Sequence, residues 1–560
     1  MVSLHPVASL RTRSKPLAAC IAALCGLSAS TAIANGNVWD VTDCSDNGGP
    51  NTLRAIISAG TTTTGDTVNL SSAPCNTITL AAGNTAIPVQ QANLRIQTTG
   101  NDHITIDGSA LLSGPTSGPA SRIFSHLVVG TLTLQGVTLT GGHVYPTAVG
   151  ASGGCIRSPG NVELIDSTVT SCSAQSAAPA TSKLKVYGGA IYASGNVTLT
   201  NSTISNNTAT SANYSVKGGG IFAGGTVQAT HSVISGNYAI AGGSKSYGGG
   251  IHAKTGSITL SYSTVSGNTL KSTGYGVYGG GVSTASGSLT ATYSTISGNS
   301  VLSDASLAAG GAIYAHGSLT LRKTTISDNY SSAAIGGIAA LSPAASNTNT
   351  FSMIASTVSG NSTGGLVGGI GVNSATTKIY NSTIAFNTAS GATANDEVYG
   401  PGLALNATSS PMSVTLSSNL LSNNTYDTGI EADLTTANSS THAITFNASP
   451  ANNFIRTSYV PAAAASQLPD DTLTGSCPLL GPLRNNGGPT LTHALLSGSI
   501  AIDHGNNAKN LKEDQRGVLA DVMPFKYPLP SGAAADIGAY EVTQADIVFN
   551  GGFDSCPDLP

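Results

Sequence analysis

Between residues 160 and 430 the chain alternates apolar and polar residues over short stretches, and glycine or asparagine interrupts each one. In "NVTLTNSTIS" (196–205), Val197, Leu199 and Ile204 fall on one face and the threonines on the other. That is the period-two signature of a half-buried strand, and no helical period competes with it. The pattern recurs as "GGAIYASGNVTLTNSTISNNTA", "GGGIFAGGTVQATHSVISGNYA", "GGGIHAKTGSITLSYSTVSGNTL", "GGGVSTASGSLTATYSTISGNSV" and "GGAIYAHGSLTLRKTTISDNYS". Its apolar anchors are Val169, Ile204, Ile234, Val265, Ile296, Ile326, Val358, Ile384 and Leu421. Short strands and glycine turns repeating at such intervals predict an all-β solenoid, a right-handed parallel β-helix in which each coil hydrogen-bonds to the next. With the fainter coils "NTITL", "ANLRIQ", "HITIDGS" and "TLTLQGVTLT", roughly a dozen coils are expected over 66–455.

Three residues after each anchor stands an asparagine: Asn207, Asn237, Asn268, Asn299, Asn329, Asn361, Asn387 and Asn424. Asparagine tolerates a left-handed turn, and its amide can bond to the asparagine of the adjoining coil, so a structural ladder is expected. Cys172 holds the equivalent place in the first clear coil, where a disulfide can replace the amide. Long inserts such as "CSAQSAAPATSKLKVYGG" occupy one slot of the repeat and should emerge on one side.

A stack of coils exposes strand edges at both ends and needs caps. "DCSDNGGPNTLRAIISAG" suits the first end, with a short helix placing Leu53, Ile56 and Ile57 on one face of a cap over 35–65. The far cap is expected over 456–545. Its stretch "LRNNGGPTLTHALLSGSIAIDHGN" (483–506) carries His493, Asp503 and His504, yet His493 and Asp503 sit among apolar residues, and "NGGP" occurs at both ends of the chain. This favours packing on the last coil over catalysis.

Several of these stretches resemble known families. "NTLRAII" is similar to the leader motif of exported β-helix proteins, a Cys followed by "LREAI", although the glutamate is missing and Cys44 lies further upstream. "LGPLRNNGGPTLTHALLSGSIAIDHGNN…DQRG…ADIGAYE" (480–541) closely resembles the choice-of-anchor Q domain of bacterial surface and secreted proteins. The coils look like those of polymorphic outer-membrane adhesins, and "ADIVFNGGFDSCP" is similar to short "GFE"-type tails, so 546–560 is a candidate sorting signal. The resemblance implies a secreted or surface-displayed bacterial β-helix of pectin-lyase-type fold and no known reaction.

Composition adds the compartment. Residues 1–34 read as a signal peptide: Arg11, Arg13 and Lys15, an apolar run, then Ala32-Ile33-Ala34. No later apolar run is long enough to span a bilayer as a helix. Six cysteines follow, Cys44, Cys75, Cys155, Cys172, Cys477 and Cys556, an even number suited to disulfides. Cys44–Cys75 and Cys155–Cys172 are the sequence-local pairings, and no CxxC spacing suggests a metal. The chain carries a formal charge of −4. Between Thr168 and Asn395, however, eight lysines and one arginine face only Asp304 and Asp328.

Parallel β-helices are often pectate lyases, pectinases or phage-type depolymerases. Hydrolysis needs two flanking carboxylates, and uronate lyase chemistry needs acidic groups for Ca²⁺ with a basic residue to take the proton. The best acidic groups here are Asp102, His103 and Asp107, then Glu163 and Asp166 about two coils on. A binding surface has better support. One position after each "GGGI" isoleucine come Tyr192, Phe222, His252, Ser283 and Tyr314, on the face turned away from the core. Just before the glycines come Tyr187, Lys217, Tyr247 and Tyr278, with Lys185 and Lys245 two residues earlier. Stacking should align each set into a column, suited to sugar rings and anionic groups. The expected function is a secreted or cell-surface adhesin that recognises a polysaccharide or surface glycan without cleaving it. No cofactor, metal or nucleic acid is expected. A polysaccharide lyase or hydrolase and a surface-coat protein are the alternatives.

Overall fold

A computed structural model describes residues 36–543, apart from 59–61, 101–102, 112–120, 147–148, 177–182, 305–306, 343–347, 392–398, 440, 448–450, 461–467 and 518–534. The proposed signal peptide, the tail 546–560, Asp102 and Cys556 lie outside the described residues. The chain is a parallel β-solenoid of about a dozen coils. One coil shows the plan, with strands Ile191–Ala193, Val197–Thr200, Thr203–Ser205, Thr208–Ser211 and Val216–Lys217. Successive coils pair these into five sheets of 13, 14, 13, 10 and 5 strands, here called first to fifth in that order. The register holds one residue per coil, as in Ile191↔Ile221↔Ile251 and Ile204↔Ile234↔Val265.

The first three sheets enclose the main core, where Ile191, Leu199, Ile204 and their equivalents are fully buried. The described strands of the inserts form the fourth and fifth sheets, a flap with its own core of Ala209, Val216, Ala239, Leu270, Val277 and Val301. Small residues dominate that core because two narrow sheets leave little depth between them.

Two buried ladders hold the corners. At the turn into the flap the side-chain amide of Asn207 donates to Asn237 Oδ1 at 2.8 Å, and the chain of donors continues through Asn268, Asn299, Asn329, Asn361 and Asn387 to Asn424. Asn424 in turn donates to Asp433 at 2.7 Å. The left-handed angles fall on the residue before each ladder asparagine, with φ of 57° at Asn206 and 62° at Gly236, so the asparagines supply hydrogen bonds rather than the turn conformation. At the corner between the second and third sheets a serine ladder runs in parallel. The Ser202 amide donates to Ser232 Oγ at 3.1 Å, and the Ser202 hydroxyl donates to the Thr200 carbonyl at 2.8 Å. It repeats at Ser263, Ser294 and Thr324.

The start of the solenoid is covered by the short helix Leu53–Ser58, whose Leu53, Ile56 and Ile57 are buried. Arg54 anchors it through a 2.6 Å ion pair with buried Asp46. Disulfides join Cys44 to Cys75 and Cys155 to Cys172; Cys477 is also disulfide-bonded. No described helix is long and apolar enough to cross a membrane.

The C-terminal stretch behaves differently from a plug on the last coil. It folds back along the outside of the third sheet. Thr325 donates to the Leu491 carbonyl at 2.6 Å, Thr357 to Gln515 at 2.6 Å, and the Ala539 amide to Thr383 at 3.1 Å. These three threonines lie in one outward column, Thr325↔Thr357↔Thr383. In earlier coils that column is polar or exposed, and here it is covered.

Candidate functional site

The glycine pairs fold the fifth sheet back against the first. At Gly188 φ is 62°, and a Cβ on Gly219 would lie 2.1 Å from the Gly249 carbonyl oxygen, so neither position admits a side chain. The turn brings Tyr187, just before the pair, beside Tyr192, just after it, with ring centroids 6.0 Å apart. Both expected columns therefore line one concave crook between the first sheet and the flap. Their registers are Tyr192↔Phe222↔His252↔Ser283↔Tyr314 and Tyr187↔Lys217↔Tyr247↔Tyr278.

The columns fill the crook with a slab of rings packed on one another. Tyr192 and Phe222 stack at 5.3 Å and 3°, and Tyr278 meets Tyr314 at 4.6 Å. Lys217 Nζ lies 5.2 Å from the Tyr247 ring centre, and the Arg157 guanidinium 5.8 Å from that of Tyr192. The expectation of a row of outward ring faces needs correction. Stacking along the solenoid axis turns the faces toward each other, so edges and hydroxyls are what reach solvent. Phe222, His252 and Tyr314 are 4%, 0% and 7% exposed. Tyr187, Tyr192, Lys217, Tyr247 and Tyr278 are half-buried, and Lys185 and Lys245 are exposed.

Burial sets the electrostatics of this slab. The His252 imidazole is pushed down to about 3 by burial, and secondarily by Lys217. Neither of its ring nitrogens has a hydrogen-bond partner among the described residues, and the same holds for the Ser283 hydroxyl beside it. Burial also lowers Lys217, helped by Lys185 and Lys254, and raises Tyr187, Tyr247, Tyr278 and Tyr314 above the usual phenol range.

Beyond Tyr314 the same outward position of the first sheet changes character. Tyr314 is followed by Ala339, Gly371 and Ala404. The fifth sheet narrows to single bridges, Ala309↔Ile335 and Ile335↔Val367. Where rings no longer fill the crook, a trough of about 590 Å³ opens. Its walls are Ile335, Leu341, Leu366 and Val372, with Asn373, Asn406 and Tyr399 as polar groups. Asn406 donates its amide to the Tyr399 hydroxyl at 3.0 Å. The trough is continuous with the slab, since Ile335 and Leu341 pack against the Tyr314 cluster. The sequence reading missed it because it followed the column only while it was aromatic. The signal was present in "GGIAAL", "GGIGVN" and "GLALN", where the outward residue becomes small.

The other candidate groups are scattered. Asp107 lies on the third sheet, where it accepts from the Ser109 amide at 2.8 Å. Glu163 lies on the second and accepts from Thr133 at 2.9 Å. Asp166 occupies the corner between those two sheets with φ of 47°. Among the described residues no group of three His, Cys, Asp or Glu is arranged to hold a metal ion. His493 is buried between body and C-terminal segment, bonded to Ser359 Oγ at 2.8 Å and to the Gly481 carbonyl at 2.7 Å, and tilted on Phe386 at 5.0 Å. It thus packs well before the last coil. Burial lowers it to about 4. "DQRG" and "AYE" build one polar knot: buried Arg516 pairs with Asp514 at 2.7 Å and lies 3.8 Å from the centre of the Tyr540 ring, and the Glu541 amide donates to Asp514.

No family model and no curated protein matches the chain. Among solved structures, the crystal structure of pectate lyase Pel9A aligns with 91% of this chain and 98% of that one, at 11% identity and a TM-score of 0.32. That likeness carries no argument about chemistry.

Proposed function

We propose that the chain is an exported, surface-displayed or secreted β-solenoid that binds a polysaccharide or cell-surface glycan along the crook without cleaving it. The observation that supports this best is the open trough. It is a long concave slot with apolar walls and a few placed amides, the composition that suits sugar rings with apolar faces and polar rims. The half-buried Tyr187, Tyr192, Tyr247 and Tyr278, together with Lys217 and Lys245, extend that line with hydroxyl edges and ammonium groups. Disulfides are compatible with an oxidising compartment. The leader-like residues 1–34 and the resemblance of 480–541 to an anchor domain support export and surface attachment.

The test mixes the full chain with a panel of neutral and acidic polysaccharides and follows each mixture by size-exclusion light scattering. Co-elution with unshortened polymer is expected, and Ala404→Tyr, which fills the trough with one more ring, should abolish it. Tyr192→Ala with Tyr247→Ala should weaken it. Progressive shortening of any polymer would overturn the reading in favour of a depolymerase and direct attention to Asp107, Glu163 and Asp166.

A further inference from the structure

A second feature lies on another edge of the solenoid. From Asp166 to Asn381 each coil turns from the second to the third sheet through one left-handed residue: Asp166, Asn201, His231, Tyr262, Tyr293, Lys323, Ala355 and Asn381, with φ between 45° and 50°. Aspartate, asparagine and histidine accept that conformation readily, whereas bulky side chains such as tyrosine pay a steric penalty there. In three consecutive coils the position is nonetheless aromatic. His231 and Tyr262 stack at 5.0 Å and 15°, and Tyr262 and Tyr293 at 4.8 Å and 8°. His231 is exposed and both tyrosines are half-buried, so core burial does not account for the choice. Unfavourable backbone angles concentrate where a side chain must be held at a given point.

The row runs into a cationic cleft. Lys323 continues it, with Nζ 5.2 Å from the Tyr293 ring centre. The folded-back C-terminal segment then lays Lys509, Lys512 and Glu513 against Arg322 and Lys323, enclosing about 450 Å³. Four cations thus share a cleft with one carboxylate, in a chain that is acidic as a whole. Glu513 is engaged by Lys323 at 3.2 Å, and Lys509 Nζ sits 4.4 Å from the centre of the Tyr380 ring. Arg322 and Lys512 are exposed, and neither has an ion-pair partner among the described residues. Like charges gathered in a cleft repel one another and focus a positive field that attracts an anion.

We propose that this cleft and the His231–Tyr262–Tyr293 row form a binding site for an acidic glycan. Arg322, Lys512 and Lys509 take its sulfate or carboxylate groups, and the adjoining sugars lie along the ring edges and phenol hydroxyls. A row extending over three coils from the cleft suits a chain-like polyanion better than a compact ion. The site depends on fold-back, because body and C-terminal segment each supply two of its four cations. It does not rest on the glycan reading of the crook, which lies on other sheets.

The test titrates the full chain with four probes by calorimetry at low salt: a sulfated dextran oligomer, a carboxymethyl dextran oligomer, unmodified dextran of the same length, and inorganic sulfate. Both charged oligomers should bind, dextran should not, and inorganic sulfate should bind far more weakly than the oligomers. Arg322→Gln with Lys512→Gln, both at exposed positions, should weaken the oligomers by about tenfold per charge removed, the size of one lost charge-assisted contact. Tyr262→Ala should weaken them by a smaller factor, and Ala404→Tyr should leave them unchanged. Unaltered affinity in the double variant would overturn the proposal. So would inorganic sulfate binding as tightly as the oligomers, which would leave only a compact anion site.

Discussion

The crook contains two stretches built from the same slot of the repeat with opposite outcomes. From Tyr187 to Tyr278 in the flap and from Tyr192 to Tyr314 in the first sheet the outward residues are rings except at Lys217 and Ser283, and the rings close on one another into a slab with Phe222 and His252 buried. From Ala339 to Ala404 they are small, the flap is reduced to isolated bridges, and a trough remains. The register of the first sheet does not change between the two. A column of aromatic residues in a solenoid is therefore first a way to fill space between sheets, and a binding slot appears where that filling stops.

The sharpest way to break this contrast is to remove a ring from the slab. Phe222→Ala should cost about 3–5 kcal/mol in urea unfolding, the range for a buried aromatic truncated to alanine. A cost below about 1 kcal/mol would mean that the slab does not hold the flap. Next comes the ladder at the root of the flap. Asn299 accepts both the backbone amide and the side-chain amide of Asn268, at 3.0 and 2.9 Å. Asn299→Ala should cost about 1–3 kcal/mol for each donor left unsatisfied, with faster hydrogen exchange in the flap than in the third sheet.

A pH-dependent effect should follow from His252. Its imidazole is neutral in the folded slab down to about 3 and takes up a proton near its ordinary value of about 6.5 once unfolded. Its contribution is complete above about 6.5 and is lost as the pH falls from there through about 3. Replacing it with the residue of the neighbouring coil, His252→Phe, should flatten that part of the acid limb in melting curves; an unchanged limb would place the acid sensitivity elsewhere. The smallest effect on stability is expected in the trough. Ala404 lines the trough floor and is only 2% exposed, so Ala404→Tyr should cost about 1–3 kcal/mol in unfolding, the range for a small buried residue made large, while removing glycan binding. A larger loss of stability would show that the trough is not open to a side chain.

Much of the architecture was legible in the residues. The anchors from Val169 to Leu421, the asparagine ladder and Cys44–Cys75 concern neighbours one coil apart, and Cys155–Cys172 joins two corners of a single coil, so spacing along the chain translates directly into spacing in space. The serine ladder was equally present in "NSTIS", "HSVIS" and "YSTVS", and passed unnoticed because serine before a strand is common in any turn. The His231–Tyr262–Tyr293 row escaped for another reason. It differs from coil to coil in identity and becomes visible only as a shared left-handed position.

The coil, its inward residues and the alignment of every column follow from local residue order alone, because a parallel solenoid repeats one local geometry and each residue meets its own equivalent. Tertiary structure decided which columns face each other. The flap folds Tyr187 onto Tyr192 and turns two expected surfaces into one interior. The C-terminal segment runs back along the third sheet and completes a cationic cleft between Arg322 and Lys512, 190 residues apart. Such meetings depend on how sheets turn at glycine corners and where a distant segment docks. Both are settled by packing and buried hydrogen bonds over the whole coil stack rather than by any local pattern.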